Sequence, residues 1–368
     1  MAASDSLSTV LTGTLHVEIA FDWGDEIDLE RAAQLAPSHS QELARRHRTP
    51  ASFNYRAPPL RFPLGEAALQ APGFDGATAR LEASVFDFAV VNIRVDLSLA
   101  HSPDELRRIV GDPDFVPSIA RAARQAAEPL YLRLLPAIKM AGWRELVEDY
   151  VIVRLDPECL PGVDALLTDH AGWLAGVLRL ESEPLSAEQI AEALGRRISY
   201  SPTDLVVIDW GAAVVVDRDC EETLQTLEFA NLQLLEFRLI DQRLDQALAH
   251  AYGLIHSLAG SRRYLFWKSQ DRPLRILGDL RIETEALFER AGNALKLVGD
   301  QYLSRVYSLA AGRLHLEEWS ASIKNSLEVT EGVYQILSDQ AAAGRLEAME
   351  LIVILLIAVE IVMSLFVH

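Results

Sequence analysis

The sequence predicts an α+β protein: a mixed α/β N-terminal region, then a long antiparallel helical hairpin, then one C-terminal transmembrane helix. Three observations carry that expectation. Short β-rich runs alternate with helical patterns as far as residue 219, apolar residues take up 4-3 spacing from Glu221 onward, and the chain closes on the apolar run Leu351–Val367.

Taken in order, Leu15 to Phe21 alternates as a strand and a short helix follows from Asp28 to Leu35. Pro58, Pro59, Pro63 and Pro72 mark residues 50–76 as largely loop. A hairpin is expected around Ala83 to Leu99 and helices from Pro103 to about Met140. A second set begins with the strand Tyr150 to Leu155 and continues with helices at Gly162 to Asp169 and Ser186 to Gly195. It ends on a hairpin from Asp204 to Asp217. Val85 to Val91 aligns with Val207 to Ala213, and each hairpin leads through an Asp, Asp96 or Asp217, into a helix. The pattern fits a duplicated β-α-ββ-α unit, or simply two amphipathic hairpins of similar composition.

From Glu221 the strand signals stop. Ala230, Leu234, Phe237, Leu244, Leu248, Ala251, Ile255 and Leu258 form a heptad seam in which Asp241 takes the one missing core position. After a break at Gly260 to Pro273, a second helix is expected from about Ile276 to Asp339, bent at Gly312 and folded back on the first. Each helix also carries a polar stripe, Glu228, Asn231, Arg238 and Asp245 on the first and Glu289, Asn293, Lys296 and Asp300 on the second. Opposed, they would pair Arg238 with Glu289 or Asp300, and Lys296 with Glu228 or Asp245. Four regions follow: α/β units at 1–145 and 146–219, the helical hairpin at 220–340, and a membrane anchor at 346–368.

The terminal run holds seventeen residues with one charge, Glu360. As a helix it reaches about 25 Å, slightly under a hydrocarbon core of roughly 30 Å. Mild thinning, or recruitment of Ala348 and Met349, would complete a crossing. The expected anchor comprises Leu351, Ile352, Val353, Ile354, Leu355, Leu356, Ile357, Glu360 and Ser364. With only His368 beyond it, and Arg345 on the near flank, the folded body is expected on the cytoplasmic side of a bacterial inner membrane. The competing reading is a helix buried in a soluble oligomer. Glu360, with Ser364 one turn on, has three readings: an inter-subunit hydrogen bond, a pore lining, or a tolerated charge. The first is preferred.

Composition excludes several classes. With 34 basic against 53 acidic side chains the formal charge is −19, and half of the residues are apolar, which rules out disorder, collagen and small disulfide scaffolds. No direct nucleic-acid binding is expected, because phosphate contacts need clustered Lys and Arg, and Arg45-Arg46-His47-Arg48 is the one local basic run. Cys159 and Cys220 stand in no metal or redox spacing. No secretory or transit signal is expected in Met1–Ala20, which holds Asp5 and Glu18 and no basic residue. Phosphate loops, HExxH and a GxSxG elbow are all missing, so no catalytic residue, metal or cofactor is expected.

Three segments together resemble a known family. They are Asp204–Ala212 running into Leu227–Asn231, Leu234–Arg238 and Asp241; Asn293–Asp300 leading to Tyr302–Tyr307; and Leu346-Glu347 with the apolar tail. In this order they resemble the YagE family, also called the family required for meiotic nuclear division, well over residues 149–368 and poorly over the first 140. The resemblance implies an α/β domain, a long helical region, one C-terminal membrane helix and no catalytic activity. By analogy with mitochondrial members it also implies homo-oligomers and a ribosome or other protein partner linked to translation. The residues that map are Asp209, Trp210, Glu228, Asn231, Glu236, Arg238, Asp241 and Asp300, in structural roles. The function expected from sequence is therefore a non-enzymatic, tail-anchored scaffold or tether that homo-oligomerises. The alternative is an oligomeric membrane pore or transport-associated protein of CorA-like architecture.

Overall fold

The structure, a computed structural model, describes residues 7, 9–36, 59–259, 281, 282, 284 and 301–366. The chain divides into two units, Met1–Glu236 with Arg290–Glu317, and Phe237–Glu289 with Glu318–His368.

The first unit is built on one mixed sheet of eight strands. Its strands are β1 (Leu11–Asp22), β3 (Leu60–Ala68), β4 (Thr78–Val85), β5 (Val90–His101), β7 (Val147–Leu155), β8 (Arg197–Ile198), β9 (Leu205–Ile208) and β10 (Ala212–Val216), in the order β3-β4-β5-β1-β7-β10-β9-β8. A two-stranded sheet pairs β2 (Glu26–Ile27) with β6 (Ile138–Lys139). β7 and β10 run parallel and the other pairs in the large sheet run antiparallel. The two α/β units expected on either side of residue 145 therefore share one sheet. Their hairpins join it in opposite senses, since β5 is antiparallel to β1 whereas β10 is parallel to β7.

The helices of this unit are α1 (Leu29–Leu35), α2 (Pro103–Val110), α3 (Phe115–Leu134), α4 (Val163–Thr168), α5 (Ala171–Arg179) and α6 (Ala187–Ala193). Local chemistry explains their starts. Ser102 and Glu105 form a reciprocal capping box ahead of Pro103, and Asp28 and Ser186 cap α1 and α6 through their side chains. Expected as loop, residues 60–68 form an edge strand. Pro63 is tolerated there because the ladder shifts register between Pro63 and Gly65, where glycine takes φ +90°.

Strand alternation gives the sheet two buried faces. On the first, Leu15, Val17, Ile19, Ile93, Val95, Val151 and Val153 pack with α2, α3 and α5 into one apolar core. The second carries Ile152, Val206, Ile208, Ala213 and Val215 on one half, and charged side chains on the β3-β4-β5-β1 half. Over that second face lie the first turns of α7 (Glu221–Ala259) and the helix α8 (Gln301–Arg313), which packs its buried Tyr307 against Phe229 and donates the Tyr307 hydroxyl to Gln233 Oε1 at 2.5 Å.

The second helix expected from about residue 276 to 339 is broken. A left-handed His315, at φ +54°, separates α8 from α9 (Leu316–Phe366), three residues beyond the bend expected at Gly312. In the second unit α7 and α9 meet where the Tyr334 hydroxyl donates to the Ala247 carbonyl at 3.1 Å. The stripe residues Glu289, Asn293, Lys296 and Asp300 lie outside the described residues.

The expected membrane span is corrected by the structure. Among the described residues no helix is long and apolar enough to cross a membrane. Leu351, Ile352, Val353, Ile354, Leu355, Leu356, Ile357, Glu360 and Ser364 form instead the last turns of α9, a helix of 51 residues. The run itself gives the reason. Seventeen residues reach about 25 Å of the roughly 30 Å required. Glu360 interrupts them, and the preceding turns supply Arg345, Glu347 and Glu350 in place of further apolar residues. The transmembrane anchor and the inner-membrane location with a cytoplasmic body lose their basis with that span.

At the β1–β7 contact, a Cβ on Gly13 would stand 2.0 Å from the Arg154 carbonyl oxygen. Gly13→Ala is expected to push the two central strands apart and cost about 2–4 kcal/mol, read as a lower urea midpoint at unchanged slope.

Candidate functional site

The charged half of the sheet's second face is ordered by the strand register. Glu82 on β4, Arg94 on β5 and Glu18 on β1 stand opposite one another in one row, and Arg80, Asp96 and His16 form the next. Each row alternates donor-rich and carboxylate groups, the favourable arrangement for cross-strand neighbours. Arg94 Nη1 lies 3.1 Å from Glu221 Oε1, at the start of α7, and its Nη2 lies 3.4 Å from Glu82 Oε1. Arg61 on β3 donates to Glu82 Oε1 at 3.0 Å and its Nη2 stands 3.6 Å from Glu228 Oε2. Asn92 Nδ2 donates to two carboxyls at once, Glu18 Oε2 at 2.5 Å and Glu228 Oε1 at 2.9 Å. His16 Nδ1 meets Asp96 Oδ1 at 2.7 Å, and Arg80 Nη2 donates to Asp96 Oδ2 at 2.9 Å.

These environments push the acids apart. Burial, reinforced by the Glu228 carboxylate, raises Glu18 from the ordinary value to about 8, against the pull of Arg94 and the Asn92 amide. Burial also works against ionisation of Asp96, but the His16 hydrogen bond and Arg94 outweigh it and bring that carboxyl down to about 2. The cluster thus pushes one carboxyl, Glu18, up and another, Asp96, down within two neighbouring rows.

A second cluster centres on Asp209 in the β9–β10 turn, which is fully buried. Arg179 Nε from α5 stands 2.7 Å from Oδ2, and Arg313 at the end of α8 donates to Oδ1 at 2.5 Å. Glu192 on α6 bridges the same two arginines, at 3.0 Å and 3.2 Å. The Tyr150 hydroxyl donates to the Asp209 carbonyl at 2.8 Å. Elements distant in sequence are thus pinned on one aspartate.

Of the residues singled out by sequence, Asp209 and Glu228 enter these clusters, one in each. Trp210 donates its backbone N–H to Asp209 Oδ1 and leaves its side chain largely in solvent, at 61% exposed. Asn231 is buried with neither amide atom hydrogen-bonded. Glu236 is buried and Arg238 half-buried on α7, Asp241 is half-buried with its carboxyl raised by burial and by Asp245, and Asp300 lies outside the described residues. Glu228, expected with Asp245 as one of two partners for Lys296, bonds Asn92 on the sheet, and Lys296 lies outside the described residues. Glu18, Asn92, Arg94, Arg179 and Arg313 are not singled out as site residues by the sequence, and Asp96 stands out only as the Asp that follows a hairpin. Asn92-Ile93-Arg94-Val95-Asp96 did carry a signal, three polar residues at period two, but that pattern equally describes a solvent-facing strand.

Among the described residues no group of three or more His, Cys, Asp or Glu is placed to hold a metal. A cleft of about 410 Å³ opens between Gly73, His101, Arg108 and Asp112, where Glu105 is already committed to the α2 cap.

Residues 12–222 match the family described as "Uncharacterized protein MJ0711, N-terminal domain", which is more than half of the chain. The chain belongs to this family. The matched stretch of the MJ0711 N-terminal family begins inside β1 and ends as α7 begins, so it takes in the whole sheet, both charged rows and Asp209. It falls mostly on the region that the YagE resemblance covers poorly. The uncharacterized protein MJ0711 of Methanocaldococcus jannaschii is 24% identical over 240 residues, covering 65% of this chain and 72% of that protein. No solved structure matches the chain.

Two outcomes follow from the clusters. Asp209→Ala leaves two guanidiniums that are 13% and 15% exposed with only the half-exposed Glu192 as partner, and is expected to cost about 2–4 kcal/mol in urea unfolding. Asp96 is held below its unfolded value, so its stabilisation is present above about pH 4 and lost as pH falls toward 2. Asp96→Asn should remove about 2 kcal/mol at pH 6 and flatten the acid limb of a stability–pH curve.

Proposed function

We propose that the chain is a non-enzymatic scaffold that assembles with further copies of itself through the end of α9. One observation carries this. Every residue from Ile352 to Ile357 is between 51% and 63% exposed, as are Met349 and Met363 nearby. Successive helical residues are turned by about 100°, so six in a row cover every side of the helix. An apolar surface of that kind on a single chain marks an association site, and a helix apolar all round is one that packing normally encloses. Completing the burial of each half-exposed side chain contributes about 1 kcal/mol. Association itself costs about 4–15 kcal/mol, so several such side chains must be covered together.

A second copy is the occupant chosen because it presents the same run at the same concentration. In this reading the YagE resemblance supplies the sense of the assembly: a platform that holds a larger protein partner, such as a ribosome, against its α/β units.

Sedimentation equilibrium of the full chain tests the proposal. The expected mass is a multiple of 40.8 kDa, with the double substitution Ile354→Lys, Leu355→Lys reverting to a single chain. A full chain that stays monomeric at tens of micromolar overturns it.

A further inference from the structure

The Glu18–Asn92–Glu228 bridge is unlike the ion pairs around it. Two carboxyls, 1% and 6% exposed, share one amide nitrogen, and both Glu18 Oε1 and Asn92 Oδ1 are buried without a hydrogen-bond partner. The titratable and charged groups around the bridge are His16 on β1, Arg61 on β3, Arg80 and Glu82 on β4, Arg94 and Asp96 on β5, and Glu221 on α7, while Tyr150 on β7 stands opposite Glu18 in register but gives its hydroxyl to the Asp209 carbonyl. Five carboxyls thus meet three guanidiniums, whose closest contacts are shared out among them: Arg80 is held by Asp96, Arg94 divides its contacts between Glu221 and Glu82 while standing opposite Glu18, and Arg61 pairs with Glu82 and reaches Glu228 only at 3.6 Å. An anionic pair at Glu18 and Glu228 would have only the Asn92 amide directly between its members.

We propose that a single proton held on Glu18 in this bridge is a latch: with it bound, the first turns of α7 dock on the charged face of the sheet, and its loss loosens them. The latch sits where α7 leaves the sheet, and Glu228 is the α7 residue that closes it. Burial and the neighbouring Glu228 carboxylate keep Glu18 protonated to about pH 8, well above an ordinary glutamate. The sign follows from linkage. The docked state holds a proton that the loosened state gives up, so docking weakens as pH rises from about 4.5 toward 8 and levels off above that. Among the described hydrogen bonds, Glu18 and Glu228 are the one pair of carboxyls joined through an uncharged donor, so the effect is local to α7 residues 221–236.

Amide hydrogen exchange of the full chain, read on peptides covering residues 221–236 and corrected for intrinsic rates, tests the latch between pH 5 and 9. The native chain should open more readily with pH, approaching tenfold per unit at the steepest part and flattening above about 8. Glu18→Gln keeps the shape and cannot ionise, so its protection should stay level over the same range. Glu228→Gln removes the neighbouring carboxylate and should move the upper end of the window to lower pH. The native chain should also show an infrared carbonyl band of a protonated carboxylic acid at pH 7 that is missing from Glu18→Gln, a signature that mere packing would not move. Protection that is level in the native chain, or equal slopes in the native chain and Glu18→Gln, overturns the proposal, as does absence of the band.

Discussion

A buried charge must find a partner, because an isolated ion inside a protein costs several kcal/mol. The sheet of the first unit buries most of the charges on its second face, leaving Arg80 at its rim in solvent. Its first face is filled by α2, α3 and α5, and its second is closed by α7 and α8. Arg61, Arg94, Glu18 and Asp96 are therefore paired with their neighbours on the sheet and with what the covering helix brings, although Glu18 Oε1 is left without a hydrogen bond. Glu221 and Glu228 are what it brings, seven residues apart and so two turns along one side of α7. The path of that helix is set by electrostatic matching on the charged half of the sheet, while α8 packs against β8 and β9 on the other half, where Ile152, Val206 and Val215 are buried.

Asp209 does for α8 what the charged rows do for α7. Replacing such an ion pair by apolar groups is often neutral for stability, so its physical value lies in selectivity: only one placement of Arg313 answers the carboxylate. The family match ends at residue 222, just where the covering helices begin. The matched stretch thus spans the sheet, while Glu228 and Arg313, which complete the two polar clusters, lie beyond it.

Much of the secondary structure was legible because alternation and capping are local. Leu15–Phe21 alternates, Ser102 and Glu105 sit three apart, and Asp204–Asp217 punctuates a hairpin. β3 was hidden by Pro63, since a proline that ends a central strand is harmless at an edge with a bulge. Glu18 gave no warning, because one acid in a strand reads as a solvent-facing residue until a second layer is known to cover it. Glu228 stood out in a polar stripe, yet its partner Asn92 lies 136 residues earlier, a separation no spacing rule reaches. The terminal run misled for a physical reason as well. Lipid tails and protein interiors select the same side chains, and only length and charge separate the two, with seventeen residues and Glu360 falling on the short side.

The position of β1 has a consequence in time. It is the first described strand to be synthesised, yet it occupies the middle of the sheet between β5 and β7. Its apolar side chains emerge early, and its second edge finds a partner only when residues 147–155 have appeared. At about 5–20 residues per second, that interval is on the order of ten seconds. Throughout it, a twelve-residue strand carries an open row of backbone donors and acceptors. Glu18 in its middle is then exposed and ionised, a charge of the kind that discourages strands from pairing with the wrong neighbour, before the finished fold encloses it.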